Sequence, residues 1–139
     1  MSYLLDTNVV SEWRKAAPDP GLLEWFDSVP LEGLFVSVIT FGEIRRGIAR
    51  LQLRGDDRQA AAYELWLSSV KSLFEDRVVP ITAEVAEQWG SCDAAGPVSM
   101  PDGLIAATAN VRGWTVVTRN VKDFSGTGVR LLNPFSGSD

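Results

Sequence analysis

Four acidic residues that lie far apart in the chain, Asp6, Glu43, Asp102 and Asp123, all fall near the ends of apolar runs that read as strands. Asp6 follows Tyr3-Leu4-Leu5, and Glu43 comes four residues after Ile39, the last residue of the run LFVSVI. Asp102 opens the helical stretch before the run WTVVT, and Asp123 lies in the loop after it. Carboxylates gathered at one sheet edge repel one another and resist joint ionisation unless a cation offsets them. The chain has no histidine and one cysteine, Cys92, so the available ligand set is all oxygen, which suits Mg²⁺ or Mn²⁺. Such an ion keeps waters and open positions, lowers the pKa of a bound water and clamps a phosphodiester for in-line attack. The chemistry implied is metal-assisted phosphodiester hydrolysis.

Each acid also has a purely local explanation. Asp6 could close a strand-to-helix corner, Thr40 to Glu43 fits a capping box, Ser99 to Asp102 fits its looser form, and Asp123 could be a turn residue. Capping, however, gives no reason for the four to converge. The elements around them do: apolar β-rich runs at 3–5, 34–39, 77–81, 114–118 and 129–135 alternate with helical patterns that begin at Asn8, Pro20, Thr40, Asp57, Thr82 and Pro101. The stretch SCDAAGPVS reads as a loop, Gly113 ends the helix begun by Pro101, and Pro80 marks a strand end or an edge strand. Strands joined through helices require crossover connections, hence a mostly parallel sheet with helices on both faces, and ligands of such sheets bind beyond the carboxyl ends of the strands.

At 139 residues and 45% hydrophobic content the chain is one domain able to bury its own core, with residues 136–139 (SGSD) expected as a disordered tail. A single cysteine excludes an internal disulfide and thiolate zinc sites, and the absence of histidine removes the usual general base. No apolar run approaches the ~18 residues of a membrane span and no basic, apolar leader opens the chain, so a cytoplasmic location is expected. The net charge of −5 argues at first against a polyanionic partner. Setting the four site acids aside leaves 14 acidic residues against 13 Lys and Arg, and the remaining surface is almost neutral. Five of those basic residues, Arg45, Arg46, Arg50, Arg54 and Arg58, fall within one stretch beginning just after Glu43. They read either as a solvated helix face or as a rim contacting RNA phosphate or a protein partner, with Arg45, Arg46 and Arg50 nearest the acids.

The segments LLDTNVVSE, SVITFGEIRRGIARL, PDGLIAATANVRGWTVVTRNVKDF and NPF together resemble the PIN-domain toxins of the VapC family, especially the FitB-like branch, over about residues 3–135. The resemblance implies an α/β fold of the PIN type, a three-layer sandwich around a five-stranded mostly parallel sheet, in a single PIN domain at 1–135. It also implies a magnesium-dependent endoribonuclease that is the toxin of a type II toxin-antitoxin pair, a homodimer, and a cognate antitoxin of the VapB/FitA type. Carried over by position, the family's acidic residues fall on Asp6, Glu43, Asp102 and Asp123, and its polar positions on Asn8 and Thr118, with Asn120 a further match.

Two other classes compete. Phosphatases of the haloacid-dehalogenase type also place an Asp after the first strand, but they need a second acid two positions on, where this chain has Asn8. A regulatory module whose acids only hold an ion or a basic peptide would differ in cleaving no RNA. The five tryptophans read as core or dimer contacts, and Cys92 as incidental.

Overall fold

The computed structural model describes residues 1–94, 96 and 98–137. Five strands, β1 (Tyr3–Leu5), β2 (Leu34–Ser37), β3 (Val78–Val79), β4 (Thr115–Val117) and β5 (Arg130–Leu132), form one sheet in the order β3-β2-β1-β4-β5. Every pairing is parallel, with Leu4 opposite Phe35 on one side and Val116 on the other. Six helices make the connections: α1 (Thr7–Glu12), α2 (Pro20–Ser28), α3 (Val38–Leu53), α4 (Asp57–Leu73), α5 (Ala83–Asp93) and α6 (Met100–Arg112). The fold is the α/β sandwich expected, and Pro80 follows the edge strand β3, where no ladder bond is lost.

Strand alternation sends successive residues to opposite faces. Leu5, Val36 and Val117 bury against Val9, Val10, Leu22, Val70 and Phe74 of the helical layer on one face. Leu4, Val79 and Val116 meet Ile105, Ala106 and Ala109 of α6 together with Phe124 and Val129 on the other. Burial on both sides explains why the strands read as unbroken apolar runs. A third cluster, Ile44, Ile48 and Leu51 with Ala60 and Leu67, zips α3 to α4 away from the sheet.

Several boundaries differ from the sequence reading, and the main ones have local chemical reasons. The run at 34–39 is strand only to Ser37, whose hydroxyl accepts from Ile39 N at 3.0 Å and starts α3 there; the helix cap is Ser37, not Thr40. In SCDAAGPVS the first three residues continue α5, which runs from its Thr82 cap to Asp93. Ser136, assigned by composition to the tail, donates through its backbone N (2.9 Å) and Oγ (2.7 Å) to the Asp19 carboxylate that also caps α2; residues 138–139 lie outside those described. All five tryptophans pack within the chain. Trp13 stacks on Phe26, Trp114 on Phe35, Trp25 meets Tyr3 edge-on, Trp66 lies by Tyr63, and Trp89 covers Gly103.

Candidate active site

The chain moves outward from β1 to β2 and β3, then returns to the opposite flank of β1 as β4. The strand order therefore reverses between β1 and β4, the point at which open parallel sheets bind ligands. The residues immediately beyond these two strands are Asp6 and Thr118, both buried.

Asp6 is fixed from three sides. Its Oδ1 accepts from Thr7 N at 2.8 Å, so it does cap α1, while Oδ2 accepts from Thr118 Oγ1 at 2.8 Å and Asn8 Nδ2 at 3.2 Å. Thr118 spends its one proton on Asp6 and accepts from Asn8 Nδ2 and Asn120 N. Asn8 closes the ring by accepting from Arg119 N at 3.2 Å. Asn8 and Thr118, matched only through family resemblance, thus hold the central acid, and Asn120 contributes through its backbone.

Glu43 projects from the second turn of α3. Thr7 Oγ1 donates to Glu43 Oε1 at 2.6 Å and lies 3.0 Å from Thr40 Oγ1. Because the single Thr7 proton serves Glu43, Thr40 must donate to Thr7, which gives a directed relay Thr40 to Thr7 to Glu43. Thr40 and Glu43 are one turn apart inside the helix, so the capping-box explanation fails here. Sequence alone does not mark Thr7 and Thr40 as site residues. Their hydroxyls sit within the quoted motifs, but only the packing of α1 on α3 shows what they touch.

Asp102 stands in the first turn of α6, where Ser99 Oγ accepts from Asp102 N at 3.3 Å; the local cap and the site acid coexist. Asp123 lies exposed on a short 3-10 turn at Val121–Phe124.

The electrostatics link the four acids into a row. Burial pushes Asp6 up to about 6; hydrogen bonds from Thr118 and Thr7 oppose the rise, and the charges of Asp102 and Glu43 add to it. Burial, opposed by the Ser99 hydrogen bond and helped by the Asp123 charge, raises Asp102 as well. Asp6 therefore feels the charges of Glu43 and Asp102, and Asp102 that of Asp123. The donor chemistry, oxygen only, fits a hard divalent cation. Among the described residues, though, no three acids stand close enough to hold one ion together, since Glu43 is drawn to Thr7 and both Asp6 oxygens are engaged.

The arginines separate. Arg45 is committed to Glu64 of α4 in a two-pronged pair, with Arg45 Nη2 to Glu64 Oε1 at 3.0 Å. Arg46 and Arg50 are exposed on α3. A second basic group, hidden in the sequence because its members are scattered, lines a pocket on α1 with Thr7 and Asn8: Lys15 and Arg119 pair with Glu12, and Arg14 lies beside them.

Comparison with known proteins matches the PIN domain model over residues 3–128. The chain is 33% identical to the VapC ribonuclease Y4jK of Sinorhizobium fredii, covering 95% of this chain and 96% of the relative. It is 34% identical to the toxin FitB of Neisseria gonorrhoeae, covering 95% and 97%. The crystal structure of FitAcB from Neisseria gonorrhoeae superposes with a TM-score of 0.82 at 33% identity over 95% of this chain and 97% of that one. With this shared sheet, and with acids at its carboxyl edge, the chain belongs to the PIN domain family, among the relatives of VapC ribonucleases and the FitB toxin.

Proposed function

We propose that the protein is a metal-dependent endoribonuclease and the toxin of a toxin-antitoxin pair. The observation that carries this reading is the row of four carboxylates around the strand reversal, in a chain one-third identical over nearly its full length to a VapC ribonuclease. Asp6, Glu43, Asp102 and Asp123 would hold Mg²⁺ or Mn²⁺ only after drawing together, with Glu43 and Asp6 exchanging present hydrogen bonds for the ion, since among the described residues no three acids stand close enough to share one. The ion would offset the row's charge, activate water and screen the phosphoryl oxygens. The protein's own part is positional. Thr118, Asn8 and Thr7 lock both Asp6 oxygens, and Thr7, itself oriented by Thr40, aims Glu43 from the neighbouring strand's helix. One P–O bond forms from water as the P–O bond to the leaving ribose oxygen breaks, and the proton given up by the water returns, through solvent or a free carboxylate, to that departing oxygen. The test is hydrolysis of RNA by purified protein with and without Mg²⁺ or Mn²⁺. Full activity in excess EDTA, or in Asp6→Asn, would refute it.

The partner follows from the same charge. A run of acids at the sheet edge attracts a cation, and a guanidinium bridges carboxylates well. The cognate antitoxin is proposed to place an arginine there, so that Mg²⁺ and antitoxin weaken each other's binding by one common factor. Titration of antitoxin at low and high Mg²⁺ measures this, and equal affinities would place inhibition elsewhere.

A further inference from the structure

Glu12, the last residue of α1, is a buried carboxylate that the row of site acids does not include. Every side of it is occupied. Oε1 lies 3.0 Å from Lys15 Nζ and 3.6 Å from Arg119 Nη2, and Oε2 accepts from Asp19 N at 2.9 Å. Arg119 is pinned further by its guanidinium lying over the Phe135 ring, 4.1 Å from the centroid. Arg14, on the same flank, lies 4.5 Å above the ring of Tyr63. Lys15 and Arg119 thus pair with one anion, and Arg14 lines the same open pocket together with Thr7 and Asn8. They remain accessible, with Lys15 50% and Arg119 44% exposed.

Stacking fixes a guanidinium plane yet leaves N–H edges free, the geometry that suits phosphate oxygens. The local surplus of positive charge contrasts with the anionic row one residue away: Asn8 touches Asp6 on one side and Arg119 N on the other. A polyanion with one linkage at the acids gains nothing from their charge and needs a cationic grip close by. We propose that Lys15 and Arg119, organised by Glu12, and Arg14, held over Tyr63 in the same pocket, bind a non-scissile phosphate of the RNA strand; this deepens the ribonuclease reading and rests on it. Of the α3 arginines, Arg45 is consumed by Glu64, whereas Arg46 and Arg50 stay exposed.

The test uses the full-length protein and oligouridylates as probes. In an Asp102→Asn background, binding of a fluorescent decauridylate is followed by anisotropy across rising NaCl, with and without the triple change Arg14→Gln, Lys15→Gln, Arg119→Gln. The triple change is expected to weaken binding at least tenfold and to lower the log-log salt slope by about 0.7 for each phosphate no longer neutralised. When the triple change is made in otherwise wild-type protein, the advantage in kcat/KM of the decanucleotide over a dinucleotide should collapse, mainly through KM. An unchanged slope and an unchanged length advantage would overturn the site. So would loss of antitoxin affinity with RNA binding intact, which would assign the pocket to the protein partner. Should the wild type cut no RNA, the ribonuclease reading falls, while the binding arm still decides whether these three residues grip phosphate.

Discussion

Thr118 Oγ1 donates to Asp6 Oδ2 at 2.8 Å, a bond between residues 112 positions apart that closes the switch point of the sheet. Both groups are buried, so the bond both stabilises the fold and restrains the acid. Thr118→Val keeps the shape but leaves the Asp6 oxygen, Asn8 Nδ2 and Asn120 N short of a partner. A loss of about 1–3 kcal/mol in urea unfolding is expected, because a stranded buried polar group costs its desolvation. The Asp6 pKa should also rise above about 6, since the Thr118 bond opposes the effect of burial. A carboxyl titration by NMR with no upward movement would contradict this assignment.

The pH dependence of stability follows from the same residue. Folding raises Asp6 from 3.8 to about 6, so the folded state binds its proton more tightly than the unfolded chain does. The resulting stabilisation is complete below pH 3.8 and lost as pH rises through about 6, and Asp102 acts in the same direction. Metal-free protein should accordingly be more stable at pH 5 than at pH 7, by about 1.3 kcal/mol from Asp6 alone. Glu12 does not disturb this window. Burial acts to raise it, but the hydrogen bond and charge of Lys15, the Asp19 N–H and the charge of Arg119 outweigh that and hold it below its ordinary value. Asp6→Asn should flatten the profile, and an equally steep profile in that variant would show that other groups set it.

If Mg²⁺ or Mn²⁺ binds the acidic row, it competes with the protons there. Added Mg²⁺ should then raise Tm more at pH 7 than at pH 5, and less in Asp6→Asn at either pH. Calorimetry or a dye-monitored melt reads this without any RNA. Equal Tm shifts in wild type and Asp6→Asn would place ion binding away from Asp6.

The relay through Thr7 predicts a separation of activity from stability. Thr40→Val removes the donor that commits the Thr7 proton to Glu43, while filling the same buried volume. RNA cleavage should fall about tenfold, or roughly 1.4 kcal/mol of transition-state stabilisation, with unfolding free energy changed by less. Thr40→Ser should recover most of the activity. Equal rates in Thr40→Val and wild type would make the relay incidental.

What the sequence reveals and what it hides divides along a physical line. The four acids are legible because each follows or precedes an apolar run, and parallel topology carries strand ends to one edge. The strand alternation of Leu4 and Leu5, which buries them on opposite faces, is equally visible as an unbroken apolar run. Glu12, Thr7 and Thr40 are not legible as site residues. Their roles depend on side-chain contacts between α1, α3 and the loop after β4, to which no periodicity refers. The same holds for Arg45, whose pairing with Glu64 depends on how α3 and α4 zip together. Ser37 outcompetes Thr40 as the cap of α3 because the chain leaves β2 two residues earlier than the apolar run suggests.

Gly103, the residue after Asp102, tests how tightly the acid's helix is seated. A Cβ built there would lie 2.7 Å from Trp89 Cδ1 and 2.9 Å from Trp89 Nε1, and Nε1 is itself buried with no hydrogen-bond partner among the described residues. The indole of α5 thus lies directly on the backbone of α6, a contact that only glycine permits. Gly103→Ala sets two effects against each other. Alanine is favoured over glycine inside a helix by about 1 kcal/mol, whereas overpacking costs about 1–3 kcal/mol. A rigid indole wedged between two helices cannot swing aside as a flexible chain end would, so the clash should win, with a net loss of about 1–2 kcal/mol in urea unfolding. Because α6 must shift to relieve the contact, Asp102 should move with it and RNA cleavage should fall. The double variant separates the two effects: in a Trp89→Ala background the clash is gone and only helix propensity remains, so Gly103→Ala should become neutral or stabilising. If Gly103→Ala is as damaging without the indole as with it, the cost comes from some contact other than Trp89.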